Sequence, residues 1–552
     1  MNRKLTWTLG VIAVVVVAGV LAFQHFWIYI PGVVGRIKNP IQPYHEVTWG
    51  AGSAPALAPG AKRPPNVILI VADDLGINDL QSTGQGVANG AVATPNIDSL
   101  ARDGVKFTNG YAGNATCSPS RAAMMTGRYP IRFGFEFTSV PVAFARNIQR
   151  MGGHGANGVK PIFYEDRVAA MPPVEDLGVP ASEVTLAETM KSAGYRTLHI
   201  GKWHLGEAKG LRPEDQGFDD TLGFYAGGGM FMEANDPNVV NSKQDLDPID
   251  KFLWANLPWS VRFDGSKPFH PDRYLTDYFG DEAVRAIQAN KDRPFFMYLA
   301  FNAPHTPLQA LKSDYEALSS IQDHRLRVYA AMIRALDRNV GKVLAELKAQ
   351  GLEGDTIVIF TSDNGGANYI GLPDINKPYR GFKATFFEGG VRVPMFMRWP
   401  GQIQPGSTSP VRAMHFDIFA TAAGAAQAAP AKPGVLDGID LMTLASGKAP
   451  ERPLFFRSGH YRTVINGDWK LQLSERPKKT WLFNIKSDPT EQINVATANP
   501  AVVAQLTALL DGQDRRAARP IWPALIEGPI WIDKPVDGKP VPKGAEYVMW
   551  AN

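Results

Sequence analysis

The chain has 552 residues, of which 45% are hydrophobic, and its 57 Lys and Arg residues nearly balance 53 Asp and Glu residues, so the net charge is +4. This length and hydrophobic content exclude a minimal domain and predict one large domain with a smaller one beside it. No sustained basic stripe accompanies the small net charge, which argues against nucleic acid as a partner. Cys117 is the only cysteine, so the chain has no intramolecular disulfide and its stability must come from packing.

The N-terminal part of the chain contains a long apolar run. The run covers 11–23, aromatic residues follow it, and no Lys or Arg occurs between Lys4 and Arg36. Basic residues before such a run are typical of an uncleaved membrane anchor, with a cleaved signal peptide as the alternative. We therefore predict an anchor or signal over 1–38, with the catalytic domain in the periplasm or outside the cell. Cleavage would instead give a secreted protein.

A spacer and then an α/β domain are predicted to follow. The segment 39–65 is rich in Pro, Ala and Gly, which favours a linker. After it, apolar runs that end in polar residues alternate with helical patterns. The runs lie at 66–74, 197–206, 294–305 and 355–366, and two of the helical patterns at 182–194 and 325–351. This alternation predicts an α/β fold with a large, mostly parallel sheet over 66–449.

The pattern changes near residue 450. Short strand-like segments, a turn at Asn466 and Gly467 and a helical pattern at 500–513 predict a small C-terminal α+β subdomain over 450–515, made of an antiparallel sheet and one helix. The segment 516–552 is rich in Pro, Trp and Gly without clear periodicity, and is predicted to be an irregular C-terminal extension.

Oxygen-bearing side chains follow two of the predicted strands. Asp73 and Asp74 end the first strand, and Asp363 and Asn364 end a later one. Ligand sites of parallel sheets form beyond the carboxyl ends of the strands, so these side chains are expected to converge there. An Asp pair after a strand can equally cap the next helix. Two such sites together favour a cation site, and the oxygen ligands favour Ca²⁺ or Mg²⁺ over Zn²⁺.

Cys117 lies in the segment GNATCSPSRAAMMTGRYP, whose polar, turn-forming flanks fit a buried structural cysteine poorly. The pentapeptide CSPSR has the form CxPxR, and Thr126, Gly127 and Arg128 follow it. This motif resembles the signature of the formylglycine-dependent sulfatases (arylsulfatases) of the alkaline phosphatase superfamily. Further blocks resemble that family in the same order: TPNIDSLARDGVKFTNGYA, GYRTLHIGKWHLG, NAPHTP, TSDNGG, RGFKATFFEGGVRVP and WLFNIKSDPTEQINVA. The resemblance covers about 65–513.

The resemblance implies a sulfuric ester hydrolase with an alkaline phosphatase-like fold, in which helices sandwich the large sheet. It implies that a formylglycine-generating enzyme oxidises Cys117 to formylglycine, and that Arg121 orients the modified residue. It implies a divalent cation, usually Ca²⁺ with Mg²⁺ as the alternative, and a group of side chains around the sulfate. The implied metal site consists of Asp73, Asp74, Asp363 and Asn364 with the modified Cys117, and the sulfate is surrounded by Lys202, His204, His305 and Lys383.

The chemistry of such a nucleophile follows from its structure. An aldehyde hydrates to a geminal diol, one hydroxyl of which, polarised by the cation, attacks sulfur in line and displaces the alcohol. The second hydroxyl lets the resulting ester collapse when a base such as His204 removes its proton, which releases inorganic sulfate. A serine lacks this second hydroxyl. Lys202 and Lys383 would stabilise negative charge on the sulfuryl oxygens, and either His305 or Lys383 would protonate the leaving oxygen.

Two alternatives to a sulfatase remain open at this level. One is a phosphonate or phosphate ester hydrolase of the same superfamily, because phosphoryl and sulfuryl centres share shape and charge. The other is an anchored binding protein that has lost the chemistry, which the intact set of residues disfavours.

Asp337 is predicted to serve helix packing. The remaining histidines are predicted to be structural or at the surface: His154, His199, His270, His324, His415 and His460.

The substrate is predicted only as a sulfate monoester. Two long insertions, 133–179 and 223–271, are rich in Gly, Phe, Trp and Met and are expected to form an apolar wall beside the sulfate pocket. That composition permits an aryl sulfate or a carbohydrate sulfate equally, so the expected partner is a sulfated small molecule or a sulfated carbohydrate.

Overall fold

The computed structural model describes residues 7–9, 12, 14, 16–19, 26–50, 63–152, 159–429, 435–448 and 450–552. Much of the predicted anchor, part of the predicted linker and His154 lie outside these residues. Within them, no helix has the length and apolar character needed to cross a membrane. Residues 39–50 of the predicted linker pack on the catalytic domain: Trp49 is buried and its Nε1 donates to Glu282 Oε2 at 2.8 Å.

The strands of the described residues are numbered in chain order. They are β1 Asn66–Ala72, β2 Val105–Phe107, β3 Gly110–Tyr111, β4 Ile162–Phe163, β5 Arg196–Lys202, β6 Asp220–Phe224, β7 Val239–Ser242, β8 Arg262–Phe263, β9 Phe295–Ala300, β10 Leu308–Leu311, β11 Thr356–Ser362, β12 Met395–Arg398, β13 Ser407–Ser409, β14 Ala413–Met414, β15 Leu454–Ser458, β16 Tyr461–Asn466, β17 Trp469–Glu475, β18 Lys478–Asn484, β19 Ile526–Trp531 and β20 Tyr547–Ala551.

The α-helices of five or more residues among the described residues are Ile30–Lys38, Pro95–Arg102, Cys117–Thr126, Val142–Arg150, Leu186–Ser192, Pro248–Asn256, Leu275–Asn290, Lys312–Glu316, His324–Ala349, His415–Ala425, Leu441–Ala445 and Pro500–Asp514. Shorter helical turns include Trp27–Tyr29, Asn368–Ile370 and Glu388–Val391.

The large sheet has nine strands among the described residues, in the order β13-β2-β12-β11-β1-β9-β5-β6-β8. At its centre β11, β1, β9, β5 and β6 are all parallel, whereas β12 and β8 pair in antiparallel fashion with their neighbours. The predicted mostly parallel sheet is thus confirmed.

Alternate residues of β1 face two different hydrophobic clusters. Ile68 and Ile70 belong to a cluster that contains the apolar residues of helices Leu275–Asn290 and His324–Ala349. Val67 and Leu69 belong to the opposite cluster, which includes residues of the helices Cys117–Thr126 and His415–Ala425. Helices therefore cover both faces of the sheet, which explains why its central strands are continuously apolar instead of alternating.

The predicted small C-terminal sheet with one helix is also confirmed. Strands β15, β16, β17 and β18 form an antiparallel sheet in that order, and the helix Pro500–Asp514 packs on it through Leu506 and Leu510.

A buried ion cluster joins this small sheet to the catalytic domain. The Nζ atom of Lys470, on β17, donates to Glu388 Oε1 at 2.7 Å and lies 2.9 Å from Glu491 Oε1. All three side chains are fully buried. Burial alone would raise the pKa of Glu388, but Lys470 and Arg392 outweigh it and hold that pKa at about 2.

The Lys470→Met substitution is expected to lower the free energy of unfolding by about 3–5 kcal/mol, because it leaves buried carboxylates without their shared cation. Urea unfolding of the two proteins would measure this difference. The matched control is Lys478→Met on β18, where the side chain is exposed and a change within about 0.5 kcal/mol is expected. Equal effects of the two substitutions would contradict a structural role for the cluster.

The C-terminal extension differs from its prediction as irregular. Strands β19 and β20 pair in antiparallel fashion, and β19 also pairs with β4, which belongs to the first insertion. Gly528 and Pro529 interrupt the apolar pattern of β19, and such residues weaken the sequence signal of a strand.

Candidate active site

The carboxyl edge of the central strands brings the predicted acidic residues together. Ala72 on β1 lies opposite Ser362 on β11, so Asp73 and Asp363 emerge side by side. The backbone N of Asp74 donates to Asp363 Oδ1 at 3.1 Å. Asp74 has a φ of 62°, a left-handed conformation that is uncommon for a residue other than glycine. All three carboxylates are buried.

Asn364 completes the oxygen set. Its Nδ2 donates to Asp74 Oδ1 at 2.7 Å, whereas its Oδ1 is buried and has no hydrogen-bond partner in the described parts of the chain. A buried carbonyl oxygen without a donor is costly. A bound cation would satisfy this atom, and three carboxylates with one amide oxygen are a ligand set suited to a hard divalent cation. The residues present therefore fit a metal ion.

The protonation of the carboxylates supports the same conclusion. Burial and the neighbouring charge of Asp363 raise the pKa of Asp73 well above its usual value. Burial would also raise the pKa of Asp363, but Arg121 and Lys202 outweigh it and hold that pKa well below its usual value. Burial and mutual repulsion thus oppose the ionisation of all three carboxylates together, and a bound divalent cation would favour their ionised forms.

Cys117 is the first residue of the helix Cys117–Thr126 and is almost completely buried. Its Sγ lies 3.6 Å from Asp73 Oδ1 and 3.9 Å from Asp74 Oδ1. Together with His305, these residues place ligand atoms within 4.8 Å of one another. A helix N-terminus also favours negative charge, so an anionic substrate group at this position is stabilised by the helix.

Arg121 lies one helical turn after Cys117 and contacts two of the carboxylates. Its Nε and Nη2 lie 3.0 and 2.8 Å from Asp363 Oδ2, and Nη2 lies 3.5 Å from Asp73 Oδ1. Its Nη1 donates to the hydroxyl of Tyr298 at 3.2 Å. The guanidinium is fully buried, and these contacts hold the carboxylates of Asp73 and Asp363 in position.

Two lysines from different segments flank Cys117. Lys202 ends β5, and its Nζ donates to Asp73 Oδ2 at 2.7 Å. The Nζ of Lys383 donates to Asp74 Oδ1 at 2.8 Å and lies 3.0 Å from Cys117 Sγ. Burial would lower the pKa of Lys383, but Asp74 and Cys117 outweigh it and raise that pKa well above its usual value. Lys383 is therefore a permanent positive charge beside the nucleophile position.

The two predicted active-site histidines lie in the same cavity as Cys117. His305 Nε2 is 3.6 Å from Asp74 Oδ2, and its Nδ1 lies 2.5 Å from the carbonyl oxygen of Thr306. His204 Nε2 lies 3.1 Å from the carbonyl oxygen of Ser139, and its Nδ1 is buried without a partner among the residues described. Burial and then Lys202 lower the pKa of His204 well below its usual value, so this ring is neutral.

Sequence reasoning missed Tyr369. Its hydroxyl donates to Asp74 Oδ2 at 3.0 Å and lies 3.3 Å from Lys383 Nζ. Tyr369 lies in a short helical turn rather than at a strand end, and its only sequence signal is its position shortly after Asn364.

Other residues singled out in the sequence lie away from Cys117. His199 is buried among aromatic rings that include Trp203 and Phe218. His415 lies with Nδ1 2.9 Å from Ser120 Oγ and Nε2 3.1 Å from Thr361 Oγ1. Asp337 accepts hydrogen bonds from the backbone N atoms at the start of the helix Pro95–Arg102, at 3.0 and 2.8 Å.

A cavity of about 530 Å³ opens beside Cys117, and His204, His305 and Lys383 also line it. Both long insertions contribute apolar residues to its walls, among them Val140, Phe144, Phe224 and Leu257.

Comparisons with known proteins agree on one family. A family model described as Sulfatase matches residues 65–428. The N-acetylgalactosamine-6-sulfatase of Mus musculus is 35% identical over 434 residues, which cover 76% of this chain and 73% of that protein. The steryl-sulfatase of Mus musculus is 34% identical over 460 residues, covering 72% of this chain and 67% of that protein. The crystal structure of Ps i-CgsB in complex with k-i-k-neocarrahexaose is 30% identical, covers 83% of this chain and 95% of its own, and gives a TM-score of 0.69.

Proposed function

The chain belongs to the sulfatase family, and on this premise we propose that Cys117, oxidised to formylglycine, and a Ca²⁺ ion form its catalytic centre. The protein is a sulfuric ester hydrolase, and its family typically combines a metal ion with a formylglycine made from cysteine. The observation that carries the proposal is the position of Cys117 Sγ, 3.6 Å from Asp73 Oδ1 and 3.0 Å from Lys383 Nζ.

The cation would be held by Asp73, Asp74, Asp363 and Asn364, beside residue 117. Four protein oxygens favour Ca²⁺, because Mg²⁺ usually keeps several of its waters and takes only one or two carboxylates. When bound, the ion would lower the pKa of a hydroxyl of the hydrated formylglycine and neutralise charge on the sulfate oxygens. Arg121 holds Asp73 and Asp363 in position for this purpose.

The remaining residues either stabilise negative charge or transfer protons. Lys202 and Lys383 supply fixed positive charge for the sulfuryl oxygens. His204 is neutral because burial lowers its pKa, so its ring is able to accept a proton at residue 117. Either His305 or Lys383 would donate the proton to the leaving alcohol oxygen: burial lowers the pKa of His305, whereas Asp74 and Cys117 outweigh burial and raise the pKa of Lys383. Overall, the ester and one water give the alcohol and inorganic sulfate.

The Lys383→Met substitution is expected to lower kcat/KM for an aryl sulfate by about 10²–10³-fold, because it removes a positive charge from the transition state while keeping most of the length of the side chain. The matched control is Lys377→Met, since Lys377 is exposed and pairs only with Asp374 in the described structure. Steady-state kinetics would be measured on preparations with equal formylglycine content. A loss of less than threefold in Lys383→Met would contradict the assigned role.

The reaction type is tested by turnover of an aryl sulfate, a phosphate monoester and a phosphonate monoester with the same aryl leaving group. The sulfate is expected to have the highest kcat/KM. Faster turnover of the phosphonate would instead favour a phosphonate hydrolase, which the geometry of Asp73, Asp363 and Cys117 also accommodates.

The alcohol part of the substrate is not settled by the relatives. Their names refer to N-acetylgalactosamine in one case and to a steryl group in the other. A sulfated carbohydrate and a sulfated apolar alcohol are both compatible with the catalytic residues, so the choice between them depends on the cavity walls.

We further propose that the protein is anchored in a membrane, with its catalytic domain in the periplasm or outside the cell. The apolar run at 11–23 supports this, as does the exposure of Ile30, Val33, Val34 and Ile37 on the following helix. A formylglycine-generating enzyme would act on Cys117 before or during export. Alkaline carbonate extraction of membranes tests the anchor: retention in the pellet is expected, and release into the supernatant would favour a cleaved signal.

A further inference from the structure

The cavity beside Cys117 reaches the N-terminal helix Ile30–Lys38. It is lined by Cys117, His204 and His305 and also by Gly32 and Gly35 of that helix. Its volume of about 530 Å³ lies within the usual range for sites that bind an organic molecule. The helix Ile30–Lys38 therefore forms a wall of the catalytic pocket, although it lies outside the part of the chain matched by the family model.

We propose that this wall and the two insertions select a sulfate monoester whose alcohol is a bulky, apolar, sterol-sized ring system. The inference rests on the proposed function and deepens it. The sulfate would lie at Cys117 and the ring system would extend toward the helix Ile30–Lys38.

The character of the walls supports an apolar alcohol. Most of the exposed surface inside the cavity is apolar, and the side chains that line it include Val140, Phe144, Ile148, Phe224, Leu253 and Leu257. Phe144, Leu253 and Leu257 are only half-buried, so a ligand would cover their remaining apolar surface and gain about 25 cal/mol for each Å² removed from water.

A sugar would gain much less from these walls. Each hydroxyl that enters the cavity without a partner loses its hydrogen bonds to water. Among the polar residues that line the cavity, Asn256 is occupied by the backbone of the N-terminal helix, and Arg262 Nη1 donates to Ser266 O at 2.7 Å. Arg36, Glu207, Thr138 and Asn368 also line the cavity, but its polar atoms contribute the smaller part of its exposed surface.

The helix is held firmly enough to act as a wall. The backbone N of Gly32 donates to Asn256 Oδ1 at 2.7 Å, and Asn256 Nδ2 donates to the carbonyl oxygen of Ile28 at 3.0 Å. The helices Ile30–Lys38 and Pro248–Asn256 approach so closely at Gly32 that a Cβ there would lie 2.9 Å from the Cα of Asn256. In addition, the guanidinium of Arg150 lies 4.7 Å from the centre of the Trp27 ring.

The inference is tested on the full chain with three sulfate esters: dehydroepiandrosterone sulfate, N-acetylgalactosamine 6-sulfate and p-nitrophenyl sulfate. The steroid sulfate is expected to have a kcat/KM at least about tenfold above that of the sugar sulfate. Equal or faster turnover of the sugar sulfate would overturn the inference while leaving the sulfatase function intact. Failure to hydrolyse any of the three esters would count against the proposed catalytic centre instead.

Variants of the wall give a second test. The readout is kcat/KM for the steroid sulfate divided by kcat/KM for p-nitrophenyl sulfate. Leu253→Gln is expected to lower this ratio by about tenfold because it removes apolar contact with the ligand. Gly32→Val is expected to lower it by about tenfold because the larger side chain displaces the helix Ile30–Lys38. The matched control is Leu246→Gln, because Leu246 is 60% exposed and does not line the cavity. Thermal unfolding would verify that each variant is folded. An unchanged ratio in both folded variants would overturn the inference.

Discussion

Replacing Cys117 with alanine is expected to lower sulfate ester hydrolysis by roughly 10⁵-fold or more, because the nucleophile acts as a unit with its neighbours and no other group replaces it. Cys117 is buried at the helix N-terminus, with its Sγ 3.6 Å from Asp73 Oδ1 and 3.0 Å from Lys383 Nζ. In the proposed mechanism, the lysines and histidines around Cys117 hold charge or move protons and do not attack sulfur. The kcat/KM for an aryl sulfate, measured on protein shown to be folded by its thermal unfolding, checks this expectation.

Cys117→Ser is the matched variant, since it keeps the size of the side chain and a nucleophilic atom. A serine ester lacks the second hydroxyl that expels sulfate, so this variant is expected to release no more than one alcohol per enzyme molecule. Mass spectrometry of the wild-type peptide that contains residue 117 is expected to show the aldehyde. Finding only unmodified cysteine in a fully active, natively expressed preparation would rule out the formylglycine mechanism.

Removal of divalent cations with a chelator is expected to abolish activity and to lower the free energy of unfolding. Asp73, Asp74 and Asp363 are buried together, and Asn364 Oδ1 is buried without a hydrogen-bond partner in the described part of the chain, so a bound cation would coordinate oxygens that are otherwise costly to bury. A cation that binds only the folded state adds about 2.7 kcal/mol of stability at a concentration one hundred times its Kd. Thermal unfolding and activity before and after addition of Ca²⁺ to the chelated protein measure both effects.

The Asp363→Asn variant distinguishes cation binding from a general effect of the chelator. It keeps the shape of the side chain but removes a ligand charge, so its thermal unfolding is expected to respond little to Ca²⁺. Asp337→Asn is the matched control: Asp337 is also buried, but it contacts the start of the helix Pro95–Arg102, and this variant should keep the full response. Unchanged activity and unfolding of the wild-type protein after chelation would contradict a metal centre.

The central strands and the residues at their carboxyl ends are encoded locally in the sequence. The continuous apolar runs at 66–74 and 355–366 are strands buried on both faces, and their terminal residues follow at one edge because parallel neighbours run in the same direction. The sequence alone therefore places Asp73, Asp74, Asp363 and Asn364 together. The CxPxR motif likewise predicts that Cys117 is a modified residue rather than a core cysteine, since its identity and spacing are read directly from the chain.

Other features depend on contacts between distant segments. Tyr369 contacts Asp74 across 295 residues, and no strand end or charged motif marks it. Arg121 faces Asp73 and Asp363 rather than open space, which only the packing of its helix against the sheet decides. The pairing of β19 with β4 depends in the same way on a partner far away in the chain.

Residue identity and strand direction by themselves predicted that Asp73, Asp74, Asp363 and Asn364 converge at one edge of a parallel sheet, and the family resemblance added Cys117 and the lysines and histidines around it. The tertiary structure alone decided which surfaces surround them: the helix Ile30–Lys38, predicted as part of an anchor or signal, forms a wall of the pocket that holds Cys117. The physical reason is that strand and turn patterns reflect local backbone preferences and burial, whereas a cavity wall is produced by close packing such as that of Gly32 on Asn256, which no local pattern encodes.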